Sequence, residues 1–178
     1  MHWLAGGDAA QAALAYREAA RRALAAERPR EQAALLESCA QALDQAGEVY
    51  VAFRVRCEAV GPLLQSGGVD AAIALTDRLL VQARVQDQAP ALAAHAWSSR
   101  AMALMWAGRV PEAERAAQHA LAQAALDDDG VRVNAVCMLA VVRGLQGDPP
   151  AALALSKPRV ARIDQVADLE TRVNFSAI

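Results

Sequence analysis

Alanine- and leucine-rich stretches of helical length alternate along this chain with short breaks rich in glycine, proline and aspartate. Polar residues interleave with the apolar ones without strand-like alternation, so helices are predicted throughout. The first helix follows Gly6-Gly7-Asp8 and runs to about Glu27, where Arg28-Pro29-Arg30 interrupts it. The second runs to Gln45 and closes on Ala46-Gly47; the third runs from about Val49 to Gln65 and closes on Ser66-Gly67-Gly68. A fourth spans about Asp70 to Val85. After Asp87-Gln88-Ala89-Pro90 a fifth reaches Ala107 and closes on Gly108. The sixth starts at Pro111 and ends near Leu126, before Asp127-Asp128-Asp129-Gly130. The seventh ends at Gly147, and Asp148-Pro149-Pro150 opens an eighth, which Pro158 should kink or stop near Lys157.

The breaks carry helix-end chemistry. Pro90, Pro111 and Pro149 fit a first turn, where the missing N–H costs nothing. Asp148 and one of the triple aspartates suit an N-cap, and Gly47, Gly108 and Gly147 suit the left-handed position after a C-terminus.

Spacing turns these helices into an architecture. Gly67, Gly108 and Gly147 are separated by 41 and 39 residues, and the Arg28-Pro29 turn lies 39 residues before Gly67. Two helices and two turns fill such a period, so the expected fold class is all-α: a solenoid of about four helix-turn-helix repeats. The repeats are placed at about 8–46, 48–86, 89–126 and 129–164, with a partial fifth over 165–178. Small residues recur within the unit: in GRVPEAERAAQHAL, Gly108 is followed by Ala113, Ala117 and Ala120.

Composition agrees. The 178 residues are 55% hydrophobic but only 4% aromatic, and alanine makes up roughly a quarter of them. That mixture suits thin, closely packed helical layers. Net charge is −2, with a single lysine (Lys157) and no basic surplus, so direct contact with nucleic acid is not expected. Cys39, Cys57 and Cys137 are odd in number and widely spaced, which reads as reduced, buried thiols. No secretory leader is evident, and the longest clean apolar run, Ala135 to Val142, falls far short of the ~20 residues a membrane helix requires. A cytoplasmic protein with no membrane contact is expected.

The register resembles the tetratricopeptide repeat family. The third unit matches through Trp97, Ala101, Leu104, Gly108, Ala113, Ala117 and Ala120. The second matches through Cys57, Val60-Gly61, Leu64, Gly68, Ile73 and Leu80, and the fourth through Val136, Leu139-Ala140, Gly147 and Ala152. The first, with Pro29, Ala34 and Ala40, matches least. The longer period is similar to the MalT-like, long-helix arrays of LuxR-type regulators and bacterial signal-transduction ATPases. HWLAGGD resembles the junction at which such proteins enter their array, and Leu169 to Ile178 resembles an unfinished helix. The resemblance therefore implies a right-handed superhelix cut from a larger protein.

It also implies a concave face lined by the first helix of each repeat. That face would hold Glu18 and Arg22, then Val55, Glu58 and Gln65, then His95, Ser98, Met102 and Met105, and finally Asn134, Cys137 and Val141. Mixed apolar and polar residues suit a peptide or partner helix, although Met102 and Met105 could equally fill gaps between helices. The Lys/Asn carboxylate clamp of peptide-binding relatives does not carry over, because Glu18, Arg22 and Glu58 occupy its places. Trp97 is expected between the two helices of its repeat. Trp106, near the turn, is either an exposed interface anchor or a packing residue on the next repeat.

No catalytic or cofactor pattern emerges. His95 and His119 lie 24 residues apart with no converging ligands, and the triple aspartate lacks EF-hand spacing, so neither metal nor cofactor is expected. Phosphate-binding loops and nucleophile elbows are absent, and Glu112 and Glu114 read as acids complementing a helix N-terminus. The expected function is a non-catalytic interaction or sensor module, binding a protein, a peptide or other domains of its own protein; the alternative is a self-association spacer forming a homodimer. Ala113→Leu should overpack the helix crossing beside Gly108 and cost on the order of 1–3 kcal/mol. A thermal melt that this change leaves alone would place Ala113 outside the core.

Overall fold

The computed structural model describes residues 8–85, 89–124 and 129–160. The junction HWLAGGD up to Gly7, the loop at 86–88, Asp127 and Asp128, and the partial repeat at 165–178 lie outside the described residues. Every regular element described is helical: α1 (Ala9–Ala25), α2 (Pro29–Gln45), α3 (Val49–Glu58), α4 (Val60–Gln65), α5 (Val69–Ala83), α6 (Ala89–Trp106), α7 (Val110–Gln123), α8 (Asp129–Leu145) and α9 (Pro149–Val160). Counting α3 and α4 as one interrupted helix, these are the eight expected helices, packed sequentially in antiparallel pairs. The chain divides into two compact units meeting at Leu79 and Leu80, within α5.

In the first unit α2 packs against α1 on one side and against α3 and α4 on another. The buried stripe of α1 is entirely alanine (Ala12, Ala13, Ala20 and Ala23), while α2 contributes Leu36, Cys39 and Ala40. Phe53, Val60 and Leu64 fill the interior under α3 and α4. In the second unit α7 lies against both α6 and α8, which also touch each other, and α9 covers α8. The inward stripe of α7 is again alanine: Ala113, Ala116, Ala117 and Ala120, spaced three, one and three residues apart. Along α6 the buried residues Leu92, Ala94, Ala96, Ala101, Ala103 and Leu104 fall around the whole helix, because neighbours lie on more than one side.

One turn closes five of these helices. Glu27, Gly47, Gly67, Gly108 and Gly147 have φ between 54° and 83°, the left-handed region. At each, the next amide reaches five residues back: Arg28 to Ala23, Glu48 to Leu43, Gly68 to Leu63, Arg109 to Leu104 and Asp148 to Arg143, at 2.8–2.9 Å. The left-handed residue itself donates three back, as Gly47 does to Asp44 at 3.1 Å. This pair of bonds satisfies carbonyls that the helix end leaves open. Gly47, Gly108 and Gly147 stand where the sequence placed them. In the second unit of the register Gly67, not Gly68, takes the left-handed conformation, and in the first unit Glu27 takes it without a glycine. At the opposite ends, Asp148 caps α9 by accepting from the Ala151 amide at 3.1 Å, and Asp8 caps α1 through Gln11 at 2.9 Å.

Two expectations are corrected. The third helix is not continuous, because it breaks at Ala59. Pro62 has no N–H to return to the Glu58 carbonyl, and the ladder restarts with Leu63 bonding Ala59 at 3.1 Å. The break lets Val60, Pro62 and Leu64 turn inward. Conversely, α9 does not stop at Lys157 but continues through Pro158 to Val160. Pro158 has no N–H for the Ala154 carbonyl, and the described helix passes it at the cost of that one bond.

Glu27 is the one non-glycine residue with positive φ among those described. Glu27→Gly should therefore stabilise the fold by about 1 kcal/mol, and Gly67→Ala, where an added Cβ meets nothing within 4 Å, should lose about the same amount through backbone strain alone. Urea denaturation of the two variants should move the midpoint in opposite directions.

Candidate functional site

The residues expected on a concave face fall into the two units and have different fates. In the first unit, Val55 is buried, and Glu18 lies on the exposed side of α1, bonding Arg21 and Arg22 of its own helix at 3.3 and 3.2 Å. Gln65 is exposed near the end of α4. Glu58 does bridge helices, but its partner is Arg17, at 2.8 Å from α1. Sequence reasoning missed Arg17, though a signal was present. It lies four residues after Ala13 and three before Ala20, in the middle of the stripe that packs on α2. Next to this ion pair the Cys39 thiol donates to the Ala13 carbonyl at 3.3 Å. Burial pushes its pKa up; the Arg17 charge opposes that shift and the Glu58 charge adds to it.

In the second unit, Ser98 on α6 and Cys137 on α8 are buried and closed to any ligand in this conformation. Cys137 packs with Val133 and Met138. His95, Met102 and Met105 on α6, and Asn134 and Val141 on α8, are half-buried on adjoining helices. Trp97 is half-buried too, rather than enclosed. Its ring stacks on that of His119 of α7 with centroids 4.7 Å apart and planes at 28°, which does place it between the two helices of its hairpin.

Several charged side chains serve as clamps. Arg56 of α3, only 15% exposed, holds Glu37 and Asp44 of α2 at 3.5 and 2.5 Å. Burial disfavours its charge, but the two carboxylates outweigh that and raise its pKa. Glu112 and Glu114, read together as N-terminal acids, separate in role. Glu112 accepts a bidentate pair from Arg109 at the start of α7, which holds its pKa below the usual carboxylate range. Glu114 reaches across to α8, meeting Arg143 at 2.6 Å and Gln146 at 2.9 Å.

The exposed apolar residues are more informative. Trp106 is 56% exposed and Leu145 64% exposed. Each lies two residues before a left-handed glycine, Gly108 and Gly147 respectively. Since α7 runs antiparallel between α6 and α8, the two residues stand at the same end of the second unit. Elsewhere a shallow depression of about 340 Å3 is lined by Arg28, Pro29, Arg30, Glu31 and Ser66. Among the described residues no group of three His, Cys, Asp or Glu side chains is placed to hold a metal ion, and no helix is long and apolar enough to cross a membrane.

Compared with known proteins, the chain matches no family model, no curated protein and no solved structure.

Burial pushes the Cys137 thiol from an ordinary 9.0 up to about 12. The unfolded chain ionises this thiol first, so its stabilising contribution is complete below about pH 9. That contribution is then lost toward pH 12, at up to about 1.4 kcal/mol per pH unit. Denaturation of Cys137→Ala across this alkaline range should fall less steeply than that of the parent chain. Parallel curves would show a thiol open to water. Arg56→Met should cost about 1–2 kcal/mol in a urea titration, since it removes the cation from α3 that Glu37 and Asp44 of α2 share.

Proposed function

We propose that this chain is a non-catalytic interaction module: a tetratricopeptide-like stack of helical hairpins, wound as a right-handed superhelix, that receives a peptide or partner helix. Its setting in this reading is a bacterial cytoplasmic regulator of the LuxR type or a signal-transduction ATPase, in which the array senses a partner and passes its state to other domains. One observation carries the binding part of the reading. Trp106 and Leu145, at equivalent places in consecutive hairpins, leave large apolar surfaces in water at one end of the second unit. Exposed tryptophan and aliphatic side chains are what interface centres are built from. The recurrence of one turn geometry at positions 27, 47, 67, 108 and 147 supports the stacked architecture. The half-buried strip from His95 to Met105 supplies a second wall of mixed polarity. A self-association spacer is the competing reading, favoured by Leu14 and Leu24 standing exposed on α1.

The test uses peptides selected from a random displayed library on the intact chain. Trp106→Ala should leave the thermal melt within about 0.5 kcal/mol of the parent, because the ring is exposed, yet weaken the selected peptides by about 30-fold. Peptides that bind both chains equally, or a selection that yields none, would overturn the reading. Light scattering distinguishes the competitor: a dimer that Leu14→Glu and Leu24→Glu convert to monomer supports the spacer.

A further inference from the structure

We draw no further inference here: the strongest candidate, the shallow depression of about 340 Å3 at the α1–α2 turn where Arg28, Pro29, Arg30, Glu31 and Ser66 surround the start of α2, carries nothing because it rests on a helix N-terminus with no second observation that points to a ligand.

Discussion

The close approach that alanine permits between neighbouring helices is the constraint from which the rest of the structure follows. The buried residues of α1 and α7 are all alanines, so methyl groups make up the enclosed part of each stripe. Such a stripe removes little apolar area from water, and helices of this length are marginal on their own. What holds them is close packing against the facing helices, which a larger side chain at any of those buried positions would disrupt. Larger residues gather where α2 meets α3 and α4, with Phe53, Val60 and Leu64 in the interior. Pro62 interrupts the hydrogen-bond ladder in this region, where Val60, Pro62 and Leu64 are buried and residues 60–65 meet α2.

Helices packed sequentially in antiparallel pairs place a premium on turns that reverse the chain in the same way each time. The two-bond closure around a left-handed residue does this after α1, α2, α4, α6 and α8. It satisfies carbonyls that a short helix cannot satisfy within itself and fixes where the next helix starts. Glycine takes the left-handed position in four cases. Glu27 takes it in the fifth, held by the same two turn hydrogen bonds despite the strain of a side chain there.

Most well-placed charges are engaged in the scaffold. Arg17 with Glu58, Arg56 with Glu37 and Asp44, and Glu114 with Arg143 each tie one helix to another. Their desolvation is partial, so their worth lies more in fixing the rotation of adjacent helices than in raw stability. Groups committed in this way are poorly placed for acid–base work. The apolar surfaces of Trp106 and Leu145 have no such scaffold role, and for that reason the interaction reading rests on them.

Helix identity, the glycine turns at 47, 108 and 147, the cap at Asp148 and the burial of the cysteines were legible from the residues, because each is settled within a few positions of chain by propensity, missing donors or small side chains. The exposure of Trp106 was legible only as one of two alternatives. Position around a helix was not legible to the same accuracy. Arg17 and Glu18 are one residue apart, about 100° on the helix. Only the packing of α1 against its neighbours decided that Arg17 meets Glu58 while Glu18 faces solvent. Tertiary structure likewise sent Val55, Ser98 and Cys137 inward and Glu114 across to α8, whereas the break at Ala59 had a local signal in Pro62. The physical reason is range: hydrogen bonding along a helix is local, whereas the rotation of one helix against another is set by side chains distant in sequence.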